Sequence, residues 1–247
     1  MKIGKFQISK TMIFLCLSLV LNIALGYAIY RAERISHVFG LALERRNIIT
    51  IEDKARPDYW AVAGWTNTVA KLHTDFDAVF FGNSITRGSD FQQCFPDKKI
   101  INLGYPGDNM IGMLMRVRMI QAANPKKVFV MAGTNDIFHV SVEEYAERYN
   151  TLLDAITDSL PDAKIYLMSI LPMNKELNSS APKDEKIQAA NNAVSKIAEE
   201  RNMTFIDIYS LYADDGQLPQ SVTKDGVHIF KEQYARWAEA IEPFIME

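Results

Sequence analysis

Beyond residue 76 the chain alternates between two hydrophobic rhythms. Short, almost unbroken apolar runs occur at AVFF (78–81), KIINL (99–103), KVFVMA (127–132), KIYLMSI (164–170) and TFIDI (204–208). Such runs suit parallel strands covered on both faces. Between them the apolar positions fall at helical spacing. Met110, Leu114, Val117 and Ile120 make one stripe, and Tyr145, Tyr149, Leu152, Leu153 and Ile156 a second. Ile187, Ala190, Val194 and Ile197 make a third, with Tyr234, Trp237 and Ile241 the last. Ser141 and Glu144 spell a capping box at the start of the second stripe, each side chain placed to satisfy the other's free N–H. This alternation predicts a doubly wound α/β sheet in a single domain from about Asp58 to the C-terminus. In such sheets ligands sit outside the carboxyl ends of the strands, so the residues after each strand come under scrutiny.

The N-terminal part follows a different rule. After a basic segment (residues 1–10, with Lys2, Lys5 and Lys10), the stretch from Thr11 to Tyr30 carries no charge. Twenty helical residues rise about 30 Å, the thickness of a bilayer core. The expectation is a transmembrane signal anchor over 11–30 that leaves the large C-terminal domain outside the cytoplasm. The alternative is a signal peptide, cut near the Gly26–Ala28 small-residue pair, and a secreted product. The length of the run favours the anchor. Arg31, Arg34, Arg45 and Arg46 balance the lysines before the span, so charge does not orient it. Residues 31–57 read as a juxtamembrane connector with amphipathic spacing at Ile35, Val38, Phe39, Ala42 and Leu43, closed by Pro57.

Composition removes some function classes. A net charge of −3 and the lack of any long basic stretch argue against nucleic acid as a partner. Of two cysteines, Cys16 lies in the apolar run, so Cys94 stands alone in the domain and no internal disulfide is possible there. Cys94 reads as a packing residue. His37, His73 and His139 are scattered without partners at metal-ligand spacing, and the chemistry below needs no metal or cofactor.

Four strand-end segments carry candidate chemistry. After the first strand, Gly82-Asn83-Ser84 puts a serine on a tight turn into a helix, where free backbone N–H groups face any developing anion. The second strand runs into a glycine–proline loop containing Gly104 and Gly107, whose backbone should approach something closely. The third ends in Gly133-Thr134-Asn135-Asp136, which offers an amide side chain at the same rim. Near the C-terminus, Asp225 precedes His228 by three residues, a spacing that brings carboxylate to imidazole and fixes its tautomer.

In order and position these blocks (FGNSIT, NLGYPGDN, GTND and DGVH) resemble those of the SGNH hydrolases, also called GDSL esterases and lipases, over roughly residues 76–243. The resemblance implies a flavodoxin-like three-layer α/β/α fold with a mostly parallel five-stranded sheet. It also implies Ser84 as nucleophile and Asp225 with His228 completing a triad. The oxyanion hole would comprise the Ser84 N–H, the Gly107 N–H and the Asn135 side chain, with Gly104 a lesser candidate. Two positions depart from the family pattern: Asn83 stands where the family name spells Asp, and Ile229 where proline often follows the histidine. The implied activity is hydrolysis of short, acetyl-type O-acyl esters on a carbohydrate or other envelope substrate. Two alternatives are an O-acyltransferase with the same triad and a non-catalytic ligand-binding domain. Tyr105, Phe138 and Met110 lie near these blocks and are candidates to floor a small pocket, with His139 a possible neighbour. The polar loop 172–183 offers little to cover a long acyl chain.

Overall fold

The structure, a computed structural model, describes residues 75–247. The expected basic segment (1–10), membrane helix (11–30), connector (31–57) and first residues of the domain (58–74) lie outside the described residues. Among the described residues no helix is long and apolar enough to cross a membrane.

Five parallel strands form the sheet: β1 (Ala78–Gly82), β2 (Ile100–Gly104), β3 (Lys127–Met131), β4 (Lys164–Met168) and β5 (Thr204–Ile206). Their order is β2-β1-β3-β4-β5. Between the strands run α1 (Ser84–Arg87) and α2 (Phe91–Cys94), then α3 (Met110–Met115) and α4 (Val117–Ala123). α5 (Val142–Ser159), α6 (Asp184–Glu200), α7 (Tyr209–Tyr212) and α8 (Tyr234–Met246) complete the α-helices among the described residues. The step from β1 to β2 runs one way across the sheet and every later step the other. Right-handed crossovers therefore put α1 and α2 on one face and α3 to α6 on the opposite one. The reversal falls between β1 and β3, and there the ends of two strands leave an open crevice.

Packing explains the element choices. Phe80, Phe129 and Tyr166 lie in register on β1, β3 and β4 and stack at 4.8 and 4.5 Å between ring centroids. Phe91 of α2 meets Phe80 at 4.3 Å and Trp237 of α8 at 5.5 Å, which seals that face. The stripes of α5 and α6 are buried at every expected position.

Three local readings change. The stripe from Met110 to Ile120 is broken at Arg116 (φ −103°, ψ 2°), and Met113 rather than Leu114 is buried. The break falls at a residue whose side chain is buried among polar partners. The capping box is half formed: Ser141 Oγ accepts from Glu144 N–H at 3.2 Å, while the Glu144 carboxylate takes Arg148 at 2.6 Å instead. Cys94 is exposed, because α2 is a single turn that buries Phe91 and leaves its last residue to solvent.

Candidate active site

β1 ends at Gly82, and Asn83 opens α1 with extended backbone, its side-chain oxygen accepting from Ile85 N–H at 2.9 Å. An asparagine caps a helix as well as an aspartate does, so the departure at this position leaves the turn intact. Ser84 is the first helical residue, where the backbone N–H has no intrahelical acceptor. Its Oγ lies 2.8 Å from His228 Nε2.

His228 Nδ1 lies 2.6 Å from Asp225 Oδ2. The other carboxylate oxygen, Oδ1, accepts the backbone N–H groups of Val227 and His228 at 2.9 and 2.8 Å. Burial would push the Asp225 carboxyl up, but the His228 backbone and ring and the Val227 N–H outweigh it and hold it at about 2. The carboxylate is therefore ionised at neutral pH and fixes the imidazole with Nε2 toward Ser84. Thr223 Oγ1 ties the turn together: it donates to the His228 carbonyl at 2.6 Å and accepts from Gly226 N–H at 3.0 Å. Ile229 pairs with Thr223 as an antiparallel bridge, closed by the Phe230 N–H donating to the Val222 carbonyl at 2.9 Å.

Of the two loop glycines, the close approach belongs to Gly104. A side chain there would strike the Arg87 backbone nitrogen at 2.3 Å. Gly107 has open space around it and needs glycine for its φ of +74°. The expectation that Gly107 approaches other backbone closely is thus replaced by a conformational reason. Asn135 donates one side-chain N–H to the Asp108 carbonyl at 2.6 Å, next to Gly107. A primary amide has two N–H groups, so one remains for a ligand.

Several contributors have partners too remote in sequence to be read from spacing. Arg116 is buried and joins Asp108 by Nε at 2.8 Å and by its second terminal nitrogen at 2.6 Å. It also donates to the Leu103 and Gly82 carbonyls at 2.9 and 3.1 Å. Burial pushes the Asp108 carboxyl up and the Arg116 guanidinium down, and their mutual attraction opposes both shifts. Asp136, beside Asn135, accepts Met110 N–H at 3.0 Å and lies 3.6 Å from Arg148; burial pushes its carboxyl up to about 6. Asn174, in the loop after β4, donates its backbone N–H to the Gly226 carbonyl at 2.9 Å.

Among the residues considered for a pocket floor, Met110 is buried core and Phe138 is half-buried with its ring 6.2 Å from the exposed His139. Tyr105 lines a cavity of about 350 Å³ together with Leu103, Pro106, Arg116 and Met119. None of Ser84, Asn135, Asp225 or His228 borders that cavity, which makes it a neighbour of the site.

A hydroxyl, an imidazole and a carboxylate thus stand in line at the carboxyl end of a parallel sheet. The chain belongs to the GDSL-like lipase/acylhydrolase family, whose profile matches residues 80–236, and it is accordingly an enzyme acting on ester bonds. It is 25% identical to platelet-activating factor acetylhydrolase IB subunit alpha2 of Rattus norvegicus, with 69% of this chain and 76% of that protein covered. A GDSL-like lipase from Bacteroides thetaiotaomicron has a similar fold (TM-score 0.63, 23% identity, 76% of this chain and 98% of that one). So does a variant of an acetyl-xylooligosaccharide esterase from Geobacillus (TM-score 0.56, 20% identity, 69% and 94% covered).

Proposed function

We propose that the protein hydrolyses short, acetyl-type O-acyl esters on a carbohydrate or envelope-associated substrate, with Ser84 as nucleophile. The observation that carries this reading is the line Ser84–His228–Asp225, with contacts of 2.8 and 2.6 Å. His228 Nε2 takes the Ser84 proton as Oγ attacks the ester carbonyl. The carbonyl oxygen becomes an oxyanion facing the N–H groups of Ser84, Gly107 and Asn135. Such a donor is typically worth about 3–4 kcal/mol in the transition state. The imidazolium, stabilised by Asp225, returns its proton to the leaving alcohol, and an acyl-serine remains. Water then attacks that ester, again through His228, releasing the acid and restoring Ser84.

The acetyl preference draws support from two relatives whose names specify acetyl esters and from the exposed setting of the site. The side chains of His228 and Asp225 are 48% and 53% exposed, so water has ready access to the acyl-enzyme. That access favours hydrolysis over acyl transfer, and a mere binding domain would need no imidazole held between serine and carboxylate. We also infer that the uncharged 11–30 segment anchors the enzyme to a membrane, with cleavage near Gly26 and secretion as the alternative.

The test is hydrolysis of p-nitrophenyl acetate by Ser84→Ala and His228→Ala variants. Each is expected to lose at least about a thousandfold in kcat with the fold intact, since triad members act as one unit. A Ser84→Ala enzyme with more than about a tenth of wild-type kcat would remove Ser84 as nucleophile.

A further inference from the structure

We propose that Arg116 is a positioning residue for the anion-binding backbone, its buried pair with Asp108 setting the direction of the Gly107 N–H. This inference rests on the reading of Gly107 and Asn135 as oxyanion donors. Arg116 is 1% exposed, an unusual place for a guanidinium. Its donors reach three strategic points. They are the carbonyl of Gly82, two residues before Ser84; the carbonyl of Leu103 near the end of β2; and the carboxylate of Asp108, next to Gly107. The Gly82 carbonyl also accepts Tyr105 N–H at 3.0 Å, so the nucleophile's strand and the glycine loop share one anchor. The Asp108 carbonyl in turn receives Asn135. Asp108 is thus held by its side chain from one direction and by its backbone from another.

Stability gives no sufficient reason for this arrangement. Replacing a buried ion pair by apolar groups of similar volume is often neutral or stabilising, because desolvation offsets the attraction. What the pair supplies is geometry. Gly107 has positive φ, is exposed, and has no atom within 4 Å of the place a side chain would occupy. No packing on that side fixes it, so its orientation depends on the bonds around Asp108. The helix is interrupted at Arg116, the residue whose side chain lies buried.

The experiment compares an aryl acetate with its thionoacetate analogue, in which sulfur replaces the carbonyl oxygen, on the full-length protein. Sulfur is a weak hydrogen-bond acceptor and gains little from the oxyanion donors. For Arg116→Lys, kcat on the oxygen ester is expected to fall about 10- to 100-fold with little change in KM, and the thionoester to lose far less. A double variant, Arg116→Met with Asp108→Leu, is expected to fold with a melting temperature near wild type and to show the same selective loss. Equal losses on both esters would overturn the proposal, since they indicate a displaced triad. So would wild-type kcat in the double variant, or its failure to fold, which would make the pair a support of the fold. Ser84→Ala run alongside separates the two levels. If it stays active the parent reading fails, and if it is inactive while the Arg116 variants behave as wild type, only the present inference fails.

Discussion

Asp225, the carboxylate of the proposed triad, has its charge set by its immediate neighbours. Three bonds from His228 and Val227 hold its carboxylate at about 2, below the usual 3.8. A depressed carboxylate favours the folded state above its unfolded value, and that benefit fades as pH falls through the folded one. The loss therefore falls between about pH 3.8 and 2, and any acid limb of activity above pH 4 belongs to another group. Asp225→Asn is expected to lower kcat about 10²- to 10⁴-fold by allowing the wrong imidazole tautomer. Hydrolysis of p-nitrophenyl acetate by the variant checks this; a loss of less than about tenfold would mean that Asp225 does not hold the imidazole for catalysis. Thr223→Val removes the hydroxyl that joins His228 and Gly226. It should cost about 1–3 kcal/mol of stability by leaving buried groups unpaired, measurable by urea unfolding. Ser84, Asp225 and His228 were legible because each sits in a short motif whose geometry is local. Arg116, Asn174 and the role of Asp136 were not, because their partners lie in other segments and only the folded chain brings them together.

The strands and the long helices α5 and α6 could be read from periodicity, since a buried face imposes its spacing directly on the sequence. The one-turn helices α1, α2 and α7 could not, being too short to show a period. The Met110–Ile120 stripe misled because the helix breaks at Arg116, a polar residue whose buried side chain interrupts the apolar pattern. Asp136 marks the joint between β3 and α3, accepting Met110 N–H while 3.6 Å from Arg148, too long for a hydrogen bond. Its carboxyl is raised from 3.8 to about 6, so it favours folding below pH 3.8 and loses that contribution as pH rises through about 6. The swing is on the order of 2–3 kcal/mol by the pKa difference. Asp136→Asn keeps an oxygen for Met110 and cannot ionise. The stability difference between variant and wild type should therefore shift in the variant's favour between pH 4 and 6, read by denaturant unfolding across that range. A difference independent of pH would mean that Asp136 is not buried as an acid.

At the scale of the whole molecule, the question is which esters the exposed site can use. The connections at the carboxyl ends of β1 and β2 are short, while the longer loop after β4 (169–183) folds down onto the Asp225–His228 turn. Asn174 donates to Gly226, and a side chain at Gly226 would meet the Asn174 carbonyl at 2.6 Å. That loop buttresses the turn and leaves only Leu177, 40% exposed, as a large apolar surface there. A long acyl chain gains about 0.8 kcal/mol for each methylene it buries, but only where a trough removes it from water. The cavity beside Tyr105 does not border Ser84 or His228, so it offers the acyl group no such trough. For acetyl, butyryl, octanoyl and palmitoyl p-nitrophenyl esters, kcat/KM is therefore expected to be highest at the short end and to fall with length. A fragment beginning near Asp58 should show the same order as the full chain, because the four chemical blocks all lie beyond residue 80. A steady rise from acetyl to octanoyl would point instead to a lipase whose trough is completed outside residues 75–247. A rise in the full chain alone would place that trough in the N-terminal segment.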